Sequence, residues 1–127
     1  MATVSTGVQI RTETPEKVMR LNRYTCWEKV VTFTLISGDT TGLATIPING
    51  ILEKVIIKLS DMAGAEGTTD VSLTDNGDNT IFSVTDLAES ASYAYSVSEP
   101  LVNEVNVILG FDDPEAGATV TVTLRGI

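Results

Sequence analysis

From Trp27 onward, apolar side chains return at every second position. Trp27, Val31, Phe33 and Leu35 alternate with Glu28, Thr32 and Thr34, as in a strand with one face on a core. A short strand over Leu43 to Ile48 follows, closed by Asn49-Gly50, the strongest two-residue hairpin signal. Ile51 to Leu59 is next, with Val55, Ile57 and Leu59 on one face and Lys54 and Lys58 on the other. Val71 and Leu73 alternate with polar neighbours before the turn Asp75-Asn76-Gly77-Asp78-Asn79, and Ile81 to Val84 resumes the pattern. Tyr93, Tyr95 and Val97, then Val105, Val107 and Leu109, then Val120, Val122 and Leu124 complete it. An acidic turn region, Gly110 to Gly117, separates the last two strands.

The first residues read differently. Residues 1–13 show no period and are expected to form an extended arm. Thr14-Pro15-Glu16 is a helix-start signal: Thr can cap, Pro suits the first helical position and Glu favours the positive end of the dipole. Val18 and Leu21 would share one face of a short helix that ends near Asn22 and must dock on something to persist. The expected architecture is all-β: a mostly antiparallel β-sandwich or barrel of about eight short strands without helical crossovers. Residues 1–26 would be an N-terminal arm with the short helix, and residues 27–127 the β-sandwich domain.

Composition narrows what such a domain can do. With 127 residues, 43% hydrophobic, the chain can bury a core of its own without a disulfide or structural metal. Histidine is absent, which removes Ser–His and Cys–His pairs and His-based zinc sites and leaves little ground for an enzyme. Cys26 is the only cysteine, so no internal disulfide can form, and without a histidine to activate it we expect a small buried residue. No apolar run approaches a bilayer span and the start lacks a secretory pattern, which points to synthesis in a cytoplasm and no membrane partner.

Charge changes the picture most. The first thirty residues hold five bases and three acids, net +2; the rest hold three bases and fourteen acids, net −11. The overall −9 opposes nucleic acid and anionic lipid. In the basic segment Arg11, Lys17, Arg20 and Arg23 are interspersed with apolar residues, Tyr24 and Trp27, a mixture that protein interfaces enrich. These six are the candidate partner-binding residues; the competing reading is that the segment adds a strand and a helical turn to its own domain. Tyr93 and Tyr95 share a strand face and could stack a sugar in a carbohydrate- or receptor-binding module, although such residues more often serve as core or rim packing. The Asp75–Asn79 run lacks the spacing of a calcium loop and reads as a turn, and Asp112, Asp113 and Glu115 read as a solvated acidic loop. No catalytic residue, metal site or cofactor is expected.

The stretch Thr41-Gly42-Leu43-Ala44-Thr45-Ile46-Pro47-Ile48-Asn49-Gly50, then Leu52-Glu53-Lys54-Val55, Asp70-Val71-Ser72-Leu73-Thr74-Asp75 and the threonine-rich Ala118 to Arg125 resemble capsid decoration and other head-associated β-sandwich proteins of tailed bacteriophages. The resemblance implies a non-enzymatic decoration or cement protein at the capsid surface. It also implies a homo-oligomer, often a trimer, that contacts the major capsid protein partly through an N-terminal arm. The alternative is the binding module of a fibre or tail appendage.

Overall fold

The computed structural model describes residues 2–11, 26–62, 67–115 and 117–127. The described chain forms nine strands: β1 (Thr3–Arg11), β2 (Trp27–Leu35), β3 (Thr41–Pro47), β4 (Gly50–Leu59), β5 (Thr68–Thr74), β6 (Thr80–Ala88), β7 (Ala91–Leu101), β8 (Glu104–Phe111) and β9 (Ala118–Gly126). They build two antiparallel sheets, one ordered β1-β2-β9-β4-β7 and the other β3-β8-β5-β6. The all-β sandwich expected from the alternating pattern is therefore the fold. The short helix expected from Thr14 falls outside the described residues.

Alternation becomes burial in the way the pleat demands. In β9, Val120, Val122 and Leu124 are fully buried while Thr119 and Arg125 are exposed. Val31 and Phe33 of β2, Val55 and Ile57 of β4, and Leu73, Val105 and Val107 of the facing sheet join them at 0% exposure. Each such side chain contributes about 1.5–3 kcal/mol on leaving water.

The two sides of the sandwich end differently. On one, β1 and β3 close the gap: the Ala2 amide donates to the Thr41 carbonyl at 2.9 Å. Gly42 of β3 lies so close over Phe33 that a β-carbon there would stand 2.9 Å from the ring. Lys29 takes an inward position on β2 and donates from Nζ to the Pro47 carbonyl at 2.9 Å; burial pushes its pKa down from 10.5. On the other side β6 and β7 are consecutive in sequence yet lie in different sheets, each with a single strand neighbour. Their inward residues Ile81, Phe82, Val84, Tyr93, Tyr95 and Val97 pack on the core only half-buried.

Two local expectations are corrected. Asn49-Gly50 does not close a hairpin, because β3 and β4 belong to opposite sheets and the dipeptide carries the chain across. Asn49 instead accepts the Asn103 amide on Oδ1 at 3.0 Å, tying the crossing to the β7–β8 turn. Gly50 has φ +147°, and a β-carbon would stand 2.7 Å from the Ile127 carbonyl oxygen, so close backbone approach requires the glycine. Cys26 is exposed, not buried: it precedes β2, and Trp27 takes the first inward position.

Candidate contact surfaces

Pairing of β1 with β2 redefines where the basic segment lies. Arg11 and Trp27 are direct cross-strand partners, so the two points between which residues 12–26 run are neighbours on the sheet. Ordinary hairpins need only about two to five residues to make this connection. Of the six sequence-derived contact residues, Arg11 ends β1 and Trp27 opens β2, so the register brings these two together. Lys17, Arg20, Arg23 and Tyr24 fall in the connection, outside the described residues.

Trp27 is 5% exposed. Its ring runs beneath Gly126, where a β-carbon would collide with the Ile51 carbonyl oxygen and stand 2.5 Å from Cζ2 of the indole. The indole N–H has no hydrogen-bond partner among the described residues, an uncommon state for a buried donor. A groove of about 370 Å³ opens beside it, walled by Cys26, Trp27, Glu28, Glu53, Lys54 and Arg125. Trp27 is thus both a core residue and one wall of that groove.

The outer face of the five-stranded sheet collects cations. Register places Glu28, Arg125, Lys54 and Ser96 in one row across β2, β9, β4 and β7. The next outward row is Val30, Thr123, Ile56 and Ala94, and the third is Thr32, Thr121, Lys58 and Ser92. Arg125 donates from Nε to Glu28 at 3.1 Å. Lys54 and Lys58 form no ion pair among the described residues, although that set is rich in carboxylates. Lys54 stands directly opposite Arg125, and like charges in that position disfavour the sheet. Sequence reading found Lys54 and Lys58 on one strand face but missed Arg125, whose alignment depends on pairing between distant strands.

The acids lie mostly in loops, where many hold the backbone. Asp113 Oδ1 accepts the amides of Gly38 at 2.9 Å and Glu115 at 3.0 Å; Asp112 Oδ2 accepts the amide and hydroxyl of Thr68 at 3.1 and 3.2 Å. Glu89 accepts the Met62 amide at 2.6 Å. Asp75 gathers Gly77 and Asn79 onto its carboxylate, and the Asn79 amide leads the effects that hold its pKa below the usual 3.8. This is the expected turn. Among the described residues no group of His, Cys, Asp or Glu could hold a metal ion.

Tyr93 and Tyr95 face inward and offer no outward stacking platform. The Tyr93 hydroxyl donates to the Ala88 carbonyl at 3.0 Å, and the Tyr95 ring meets Phe82 at 5.2 Å between centroids and 60° between planes.

No protein-family model matches the sequence, and no curated protein matches it. Among solved structures it is similar to dimeric latent PorU from Porphyromonas gingivalis: 20% identity, TM-score 0.44, over 71% of this chain and 10% of that one. It is also similar to the enzymatically active domain of bacteriophage CBA120 tailspike protein 4, with 12% identity, TM-score 0.36, over 98% of this chain and 18% of that one. A third is the CBM36-1 domain of a multidomain xylanase from the Trinervitermes trinervoides hindgut metagenome, with 14% identity, TM-score 0.43, over 100% of this chain and 98% of that one. The chain spans under a fifth of the length of the first two. Likeness at this level leaves function to the chain's own residues.

Proposed function

We propose that this chain is a non-enzymatic structural protein of a bacteriophage virion, made in the host cytoplasm, that binds and reinforces the capsid shell. The observation that carries the reading is the β1–β2 pairing. It sets Arg11 beside Trp27, so both attachment points of the basic, aromatic segment lie at the end of the sandwich that holds Lys54, Arg125 and the Trp27 groove. That end would seat on the major capsid protein. A connection fixed at both ends by a nine-stranded body can bridge two capsid subunits and resist their separation when packaged DNA presses outward. Several copies, acting as a homo-oligomer, would share the load.

The same pairing selects the experiment. Removing residues 1–23 would strip an edge strand as well as the basic segment, so the better variant replaces residues 12–26 with a two-residue Asn-Gly turn. We expect unchanged thermal unfolding and at least about tenfold weaker co-sedimentation with purified capsids, the size of effect that loss of Arg and aromatic contacts produces. Undiminished capsid binding would overturn the reading.

A further inference from the structure

We propose that Asn76 is a site of spontaneous modification, converting slowly to aspartate and isoaspartate, and that the Asp75 carboxylate restrains the rate. The chain has two Asn-Gly dipeptides, Asn49-Gly50 and Asn76-Gly77, and both asparagines are exposed, so accessibility does not separate them. A glycine after asparagine leaves the backbone nitrogen open to reaction, because no β-carbon crowds it. That nitrogen gives its proton to hydroxide and attacks Cγ of the asparagine. The N–Cγ bond forms, the Cγ–Nδ2 bond breaks, and Nδ2 takes a proton from water and departs as ammonia. The cyclic imide then takes up one water. Opening at Cγ gives aspartate; opening at the backbone carbonyl gives isoaspartate, whose main chain runs through the former side chain.

The fold treats the two dipeptides differently. Asn49 Oδ1 accepts the Asn103 amide at 3.0 Å, and the Ile48 amide donates to the Asn103 carbonyl at 2.9 Å. Gly50 opens β4, is paired with Leu101 and packs against the Ile127 carbonyl. Ring closure at Asn49 would have to open this crossing first. Asn76-Gly77 lies between β5 and β6, outside every strand pair, and the Asn76 side chain makes no hydrogen bond among the described residues. The turn is closed by the Asp75 amide on the Asn79 carbonyl at 2.9 Å and the Asp78 amide on the Asp75 carbonyl at 3.0 Å, and neither bond engages Asn76. One group opposes the attack. The Gly77 amide donates to Asp75 Oδ1 at 2.8 Å, and Asn79 fixes that carboxylate through its backbone and side-chain amides at 2.9 to 3.2 Å. The attacking nitrogen must give up this hydrogen bond and carry negative charge beside a carboxylate; both effects favour the protonated amide. The imide has no N–H at Gly77, so the Asp75–Gly77 bond is lost as the ring closes. Each product then places a new carboxylate between Asp75 and Asp78.

Peptide mass spectrometry on the folded protein, aged in mildly alkaline buffer and then digested, tests this. We expect the Asn76 peptide to gain the mass that exchanging an amide for an acid adds, and to resolve into aspartate and isoaspartate forms. The Asn49 peptide should convert at least about tenfold more slowly, since the crossing must open locally before it reacts. In denaturant the two sites should convert at similar rates, which assigns the difference to the fold. Asp75→Ala should speed conversion of Asn76 severalfold in the folded protein but not in denaturant, and Gly77→Ala should slow it in both. An Asn76 that stays intact, an Asn49 that converts as fast in the folded protein as Asn76, or an Asp75→Ala protein no faster than wild type would overturn the proposal.

Discussion

The two long sides of this sandwich are made from the same alternating pattern yet are finished in opposite ways. On the β1–β3 side a backbone hydrogen bond joins the sheets, and Gly42 lets β3 settle onto the Phe33 ring. On the β6–β7 side no strand among the described residues spans the gap, and six large side chains stay half-buried. The difference shows that a core position is not valued by residue type. Phe33 and Phe82 are the same side chain, one at 0% exposure and the other at a wet margin. The open side is guarded against stray pairing by local devices instead: register shifts between β5 and β6, a positive φ of 57° at Asp86, and Glu99 and Pro100 at the end of β7.

Chemical denaturation can break this contrast. Phe33→Ala should cost about 3–5 kcal/mol, as for a fully enclosed aromatic, and Tyr95→Ala only about 1–2 kcal/mol because part of its surface is already hydrated. Equal losses would mean that the open side is closed in solution. Gly42→Ala sharpens the picture of the other side. Its new methyl meets a buried ring at 2.9 Å that has nowhere to move, and we expect a loss of about 1–3 kcal/mol in the same assay.

The smallest effect belongs to the β5–β6 turn, away from both sides. Asp75 has a lowered pKa, so the folded state favours its ionised form. Its contribution is complete above the ordinary value of 3.8 and is lost as pH falls through the lower folded value. Asp75→Ala should therefore melt slightly below wild type at neutral pH, and the gap should narrow in acid. A gap that stays constant down to the lowest pH reached would remove the carboxylate from the account.

Strand positions were legible wherever one face is buried and the other wet, as in Val120, Val122 and Leu124 against their threonines. The β1 strand was not, because residues 1–13 carry no alternation and its place is set by pairing with β2. Asn49-Gly50 misled for a related reason: the dipeptide signals a tight change of direction, while the sheet that the next strand joins is decided by distant partners. The candidate contact surface was legible in halves. The basic stretch and the Lys54–Lys58 face could be read from local order, but Arg125 beside Lys54 and Arg11 opposite Trp27 are products of register.

The Arg11–Trp27 pairing also makes this molecule a natural carrier. Because both anchor points are fixed by the sheet, extending the connection between them costs only about 0.6 kcal/mol for each doubling of its length. A foreign peptide spliced there would be presented at one end of the sandwich while the nine-stranded body folded beneath it.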